Sequence, residues 1–247
     1  MAQKDQTTGY GPVAVVGISI GVYLAAQVAA SVVLVMVASI FGFGDEQTDS
    51  WLDGTTAQFG FSVLTGMITL GLLAWFMLKR RMSWSKLGLV RPRKRDAGYG
   101  LLGFGAYFVA AIVVMMILPL VWPGLDVDQE QNIGFALTTT GPTLVLVFIS
   151  LVIMPAFVEE VQIRGFLYTG LRARLPWVSA AVITSSLFGL AHLQFSDGQS
   201  PLWVAVVDTF VLSMILVYLR ERTGSLWSAI TVHFMKNAMA FAFLFVF

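Results

Sequence analysis

The sequence predicts an all-α, polytopic membrane protein with about seven transmembrane helices. Of the 247 residues, 57% are hydrophobic and only 12% are charged, and the mean hydropathy is +0.80. A soluble domain is typically about a quarter charged. The apolar residues lie in long runs, and about 20 consecutive apolar residues are enough to cross a bilayer. Little of the chain is then left to form an extramembrane domain.

Seven apolar runs give the predicted spans. The first is too long for the core of a signal peptide and lacks a small-residue cleavage site, so we expect it to be retained as a helix. No repeat or low-complexity tract divides the chain, which predicts a single transmembrane domain over residues 1–247. The predicted spans are 12–41, 57–78, 97–122, 141–171, 177–193, 202–219 and 226–247.

The connections between these spans alternate in charge. Lys and Arg occur in the second, fourth and sixth connections, at 79–95, 172–174 and 220–222, and are absent from the others. The positive-inside rule therefore predicts a cytoplasmic N-terminus and an outside C-terminus, in a multi-pass protein of the plasma (cytoplasmic) membrane. The net charge of +1 gives no basic field for a nucleic acid. The absence of cysteine excludes disulfides and thiolate metal sites.

Ionisable and strongly polar side chains are concentrated in the last four spans. Each costs at least about 2.5–3.5 kcal/mol near the bilayer centre, so each is a functional-site hypothesis. The first three spans hold no such charge, which predicts scaffold helices over 1–122. The groups concerned are Glu159, Glu160, Arg164, His192, Asp208, His233, Lys236 and Asn237.

The segment FVEEVQIRG at 157–165 contains two adjacent glutamates with different expected roles. Glu160 and Arg164 are four residues apart on one helix face, which favours an ion pair. Glu159 is rotated by about 100° from its neighbour and has no cation at that spacing. A desolvated carboxylate of this kind can take a proton from water and return it, as a general base does.

Two further motifs follow on later helices. FGLAH places Phe188 and His192 on one helix face, where the phenyl ring can pack against the imidazole. HFMKN likewise places His233 and Asn237 on one face of a later helix. His233 and Asn237 offer two neutral donors one turn apart, as an oxyanion hole requires. Taken alone, each motif more often serves helix packing. Their joint occurrence predicts one polar cavity holding these groups and Glu159, reached from the cytoplasm or from lipid.

Asp208 and Lys236 fall at similar heights on neighbouring spans. Their opposite charges predict a structural ion pair between the sixth and seventh spans. We expect no catalytic role for either.

These motifs resemble those of the CAAX-protease and bacteriocin-processing (Abi) family of intramembrane glutamic endopeptidases, which carry EExxxR, FxxxH and HxxxN in this order. The resemblance covers roughly 141–247, with an echo at WSKLGLVRPRKR, 84–95. Gln162 departs from the family pattern, which has an aromatic or aliphatic pair before the arginine. The resemblance implies that 141–247 forms the catalytic helices.

By this resemblance, Glu159 is the general base and His192 positions the attacking water. His233 and Asn237 stabilise the oxyanion, while Glu160, Arg164 and Phe188 support the site. We favour a mechanism without a cofactor. Zinc held by Glu159, His192 and His233 remains the rival, because three such ligands and a water suit catalytic zinc.

The expected function is cleavage of a membrane-embedded or lipidated peptide or protein near the cytoplasmic side. A non-catalytic membrane scaffold or regulator, for example in bacteriocin immunity, is the main alternative. A transporter is a weaker one, because no inverted pair of broken helices is visible. The bilayer and the substrate are the expected partners, nucleic acid is not, and the sequence leaves the oligomeric state and prenyl specificity open.

Overall fold

Long apolar helices form most of the protein, as seen in a computed structural model that describes residues 9–129, 131–195 and 200–247. All regular structure in these ranges is helical. The helices are α1 (Pro12–Ile40), α2 (Asp45–Leu52), α3 (Thr55–Lys79), α4 (Lys94–Val121), α5 (Gly141–Arg172), α6 (Trp177–Leu190), α7 (Trp203–Thr223) and α8 (Trp227–Phe245). A short 3₁₀ helix covers Trp84–Leu87.

The predicted spans correspond to seven of these helices. Six are long and apolar enough to cross a membrane, whereas α6 has 14 residues. At 1.5 Å per residue, α6 is only about 21 Å long, less than the ~30 Å hydrocarbon core. The eighth, α2, was not predicted; it is a short polar helix in the first connection.

Helix α5 lies at the centre and packs against α1, α3, α6 and α8. It is not a uniform α-helix, because Ile149–Ile153 and Glu160–Leu167 are π-helical. Pro155 follows the first π segment. Proline has no N–H to donate to the carbonyl four residues earlier, and π segments often occur at functional sites. The sequence analysis had treated this span as regular α-helix.

The basic end of the bundle is tightly closed. The backbone N–H of Leu226 donates to the carbonyl of Gly88 at 2.9 Å, and the Trp227 indole N–H donates to Val90 at 2.7 Å. Gly88 has φ +94°, and a Cβ there would lie 2.7 Å from Nε of Arg220. Both the left-handed backbone and the close approach therefore require glycine.

Candidate active site

Glu160 is the most enclosed carboxylate of the site. Its side chain is 0% exposed, and its Oε1 accepts hydrogen bonds at 2.9 Å from Nη1 of Arg164 and at 2.9 Å from Nδ1 of His233. The predicted ion pair with Arg164 is confirmed. The contact with His233 was not predicted, and it joins the first motif on α5 to the third motif on α8.

This contact fixes the proton on one nitrogen of His233. The ionised carboxylate of Glu160 can only accept, so Nδ1 of His233 carries a hydrogen. In a neutral ring, Nε2 then holds only a lone pair. A hydrogen bond from Nε2 of His233 to an oxyanion requires a second proton on the ring. The role of His233 as an oxyanion donor stays a prediction.

Glu159 is placed differently from Glu160. Its side chain is 33% exposed, and its Oε2 lies 3.9 Å from Nε2 of His233. This oxygen is buried and accepts no hydrogen bond from any described residue. Oε2 of Glu160 is likewise without a hydrogen-bond partner among the described residues. What distinguishes Glu159 is its place on a cavity wall and its partial exposure, since Glu160 is 0% exposed.

Phe188 links three of the site's groups on α5 and α6. The guanidinium carbon of Arg164 lies 4.2 Å from the centre of the phenyl ring, in a cation–π arrangement. The imidazole of His192 packs edge-on at 4.8 Å between ring centres. Nδ1 of His192 lies 2.8 Å from the carbonyl oxygen of Phe188, which can only accept. Nε2 of a neutral His192 is therefore an acceptor.

Asn237 is held by the irregular part of α5. Its Nδ2 donates to the carbonyl of Leu151 at 3.0 Å. Leu151 lies in the π-helical segment Ile149–Ile153, next to Pro155. This hydrogen bond ties α8 to α5 and fixes the amide of Asn237 at the cavity.

Three cavities meet at Glu159. The polar cavity, about 280 Å³, is bounded by α5, α6, α7 and α8; the α1–α6 cavity measures about 250 Å³ and the α1–α3 cavity about 290 Å³. The polar cavity brings together the predicted Glu159, Phe188, His192, His233 and Asn237. Glu160 and Arg164 lie behind its wall, fully buried.

Asp208 and Lys236 also line the polar cavity. Nζ of Lys236 lies 3.8 Å from Oδ2 of Asp208, which confirms the predicted pair between neighbouring spans. Tyr107 on α4 donates its hydroxyl to Oδ1 of Asp208 at 2.8 Å. The sequence analysis missed Tyr107, for which no spacing signal exists because the contact joins α4 to α7.

Gln162 and Tyr23 were not predicted as site residues. Gln162 is buried, and its Nε2 donates to the backbone carbonyl of Ser19 on α1 at 2.9 Å. Gln162 and Tyr23 both line the α1–α6 and α1–α3 cavities beside Glu159. The polar substitution in the first motif therefore serves the packing of α5 on α1, and α1 also contributes to the walls of the site.

Among the described residues, no three His, Cys, Asp or Glu side chains are grouped so that they could hold a metal ion. Glu159, His192 and His233, the three ligands of the zinc alternative, line the same cavity.

Comparison with protein-family models identifies the matching family. Residues 141–239 match the model described as "Type II CAAX prenyl endopeptidase Rce1-like". This segment is therefore similar to Rce1-like domains of the CAAX protease family. It contains all three motifs, so the resemblance inferred from them is confirmed. The matched segment spans α5, α6, α7 and most of α8, and α1–α4 lie outside it. Comparisons with curated proteins and with solved structures gave no match.

Proposed function

We propose that the protein is an intramembrane endopeptidase in which Glu159 activates a water molecule to hydrolyse a peptide bond. The substrate is a membrane-embedded or lipidated peptide or protein. One observation carries the proposal: Glu159 lines the polar cavity with a side chain that is 33% exposed, whereas the adjacent Glu160 is 0% exposed and held by Arg164 and His233. Glu159 is therefore assigned to the reaction, and Glu160 to holding the site in place.

The first step is attack by water. Glu159 takes one proton from the water while the water oxygen forms a bond to the substrate carbonyl carbon. Nε2 of His192 accepts a hydrogen bond from the same water and orients it. This role suits His192, because its Nδ1–H is used by the Phe188 carbonyl and its Nε2 is free to accept.

Charge then develops on the former carbonyl oxygen. The second amide hydrogen of Asn237 and, in the doubly protonated ring, Nε2–H of His233 donate to this oxyanion. The carboxylates of Glu159 and Glu160 lie beside His233, with Oε2 of Glu159 at 3.9 Å from Nε2 and Oε1 of Glu160 at 2.9 Å from Nδ1. When the intermediate collapses, the C–N bond breaks and Glu159 returns its proton to the leaving amine.

Two groups behind the cavity wall, Glu160 and Arg164, and one on the wall, Phe188, position these residues. Glu160 orients His233, Arg164 neutralises Glu160, and Phe188 packs against both Arg164 and His192. Each acts through another residue rather than on the substrate.

The test is a comparison of membrane peptides from cells expressing wild-type protein, Glu159→Gln or Glu46→Gln. Glu46 is an exposed carboxylate on α2 and provides a matched control. We expect at least one uncut peptide to accumulate in Glu159→Gln but not in Glu46→Gln. Identical peptide sets in all three strains would contradict the proposal and favour a non-catalytic scaffold.

A further inference from the structure

The three cavities that meet at Glu159 have their rims at one end of the bundle. Their linings include Gln131, Ile133 and Phe135 from the connection between α4 and α5, and Gln194 from the connection after α6. None of these linings includes a residue of the segments 79–95, 172–176 and 220–226, which hold the Lys and Arg of the basic connections. The cavities thus open away from the basic end.

The opposite direction is filled by packed side chains. Between Glu159 and the basic end lie Phe166 and Leu171 of α5, together with Leu87 and Leu226, and each of these is at most 1% exposed. Glu160 and Arg164, both 0% exposed, lie above these packed side chains, and His233 joins them from the wall of the polar cavity. In the part of the chain that the structure describes, none of the three cavities extends to the basic connections.

The charge distribution assigns sides to these two ends. The connections at the closed end hold the Lys and Arg of the loops, whereas 41–54, 122–140 and 191–202 contain no Lys or Arg. By the positive-inside rule, the closed end faces the cytoplasm and the open end faces the other side.

The α1–α6 cavity also opens sideways. It is lined by Ile20 and Tyr23 of α1 and by Leu187 and Ala191 at the end of α6. Ile20 is 44% exposed and Tyr23 39% exposed. The hydroxyl of Tyr23 reaches the carbonyl of Ala191 at 3.5 Å, a long hydrogen bond across the gap. A membrane-inserted segment can approach Glu159 from lipid at this point.

We infer that the site accepts its substrate from the non-cytoplasmic half of the bilayer, so that the substrate is a membrane-inserted or exported peptide rather than a cytoplasmic lipidated tail. That a peptide is cleaved at all rests on the proposed function. The face of the membrane from which the peptide enters is inferred from the cavity geometry and the charge distribution. It replaces the expectation of cleavage near the cytoplasmic face.

Thiol labelling can test the side directly, because the natural chain has no cysteine. Gln131→Cys probes the rim and Ala191→Cys the α1–α6 cavity, and both residues are exposed. Ser85→Cys is a matched exposed control at the basic end. A charged, membrane-impermeant thiol reagent is applied to intact spheroplasts and, separately, to inverted membrane vesicles.

We expect Gln131→Cys and Ala191→Cys to react in spheroplasts and Ser85→Cys only in inverted vesicles. Reaction of Ala191→Cys only in inverted vesicles would overturn the inference, as would reaction of Ser85→Cys in spheroplasts. Adding Glu159→Gln to the Ala191→Cys variant should leave labelling unchanged. The side is thus measured whether or not the protein cleaves, and a failure of the proposed function is seen separately in the peptide comparison.

The cleavage sites give a second measurement of substrate class. Peptides that accumulate in Glu159→Gln should be cut by the wild type within segments on the non-cytoplasmic half of the membrane. Cuts confined to cytoplasmic tails would overturn the inference while leaving the peptidase function in place.

Discussion

Replacing Glu160 by glutamine should destabilise the protein far more than the same change at Glu159. The Glu160 side chain is 0% exposed and accepts two hydrogen bonds of 2.9 Å, from Arg164 and His233. Glutamine keeps the shape but removes the charge, which leaves a fully buried guanidinium without its main counter-ion. Breaking a buried pair in this way costs about 3–5 kcal/mol.

Glu159 offers a matched comparison in the next residue. Its side chain is one-third exposed, and its Oε2 accepts no hydrogen bond from a described residue. Glu159→Gln therefore breaks no short contact, and we expect a loss below about 1 kcal/mol. The assay is thermal unfolding of both variants in the same detergent. For a chain of this length, the shift expected for Glu160→Gln is on the order of 10 °C.

A double variant separates lost charge from lost packing. In Glu160→Gln with Arg164→Met, the unpaired cation is gone, so part of the lost stability should return. Equal melting temperatures for Glu160→Gln and Glu159→Gln would refute the division of these carboxylates into a supporting and a reacting group.

Three further predictions concern turnover. Glu159→Gln should abolish cleavage because an amide cannot take the proton, and full activity in this variant would exclude Glu159 as the general base. His233→Ala and Asn237→Ala should each lower kcat by about 100-fold to 1,000-fold, as expected for lost oxyanion donors. Activity should survive exhaustive chelation. The metal-dependent alternative would be established if chelation abolished activity, zinc restored it, and elemental analysis found about one metal per chain. Pro155→Ala adds an N–H that reaches the Leu151 carbonyl in the α-helical register and then competes with Asn237 for it, so kcat should fall by up to about 100-fold without a loss of melting temperature. Unchanged kcat would show that Asn237 does not depend on this proline.

Much of the helix arrangement could be predicted because long apolar runs have few alternatives in a membrane. The predicted span 57–78 corresponds to Thr55–Lys79, and 141–171 corresponds to Gly141–Arg172. The pair Glu160–Arg164 was also predictable, because both residues lie on one helix four positions apart. Contacts of this kind are encoded locally.

Other features were not predictable from spacing. The π segments of α5 have no periodic signature, although Pro155 marks where the α-helical hydrogen bonding fails. The contact between Glu160 and His233 joins residues 73 positions apart. Tyr23, on a helix expected to be scaffold, lines two of the three cavities. Each depends on how the helices pack.

The sequence by itself determined that the chain is an all-helical membrane protein, which groups are costly to bury, and which end of the bundle is basic. These features depend on composition, on the length of apolar runs and on the positions of charges, all of which can be read from the sequence without knowing which helices touch. The tertiary structure decided which glutamate borders the cavity, which oxygen atom each histidine Nδ1 contacts, and which end of the bundle is open. These depend on contacts between distant helices, because packing alone sets whether a buried polar group has a partner and whether a path from the solvent to it exists.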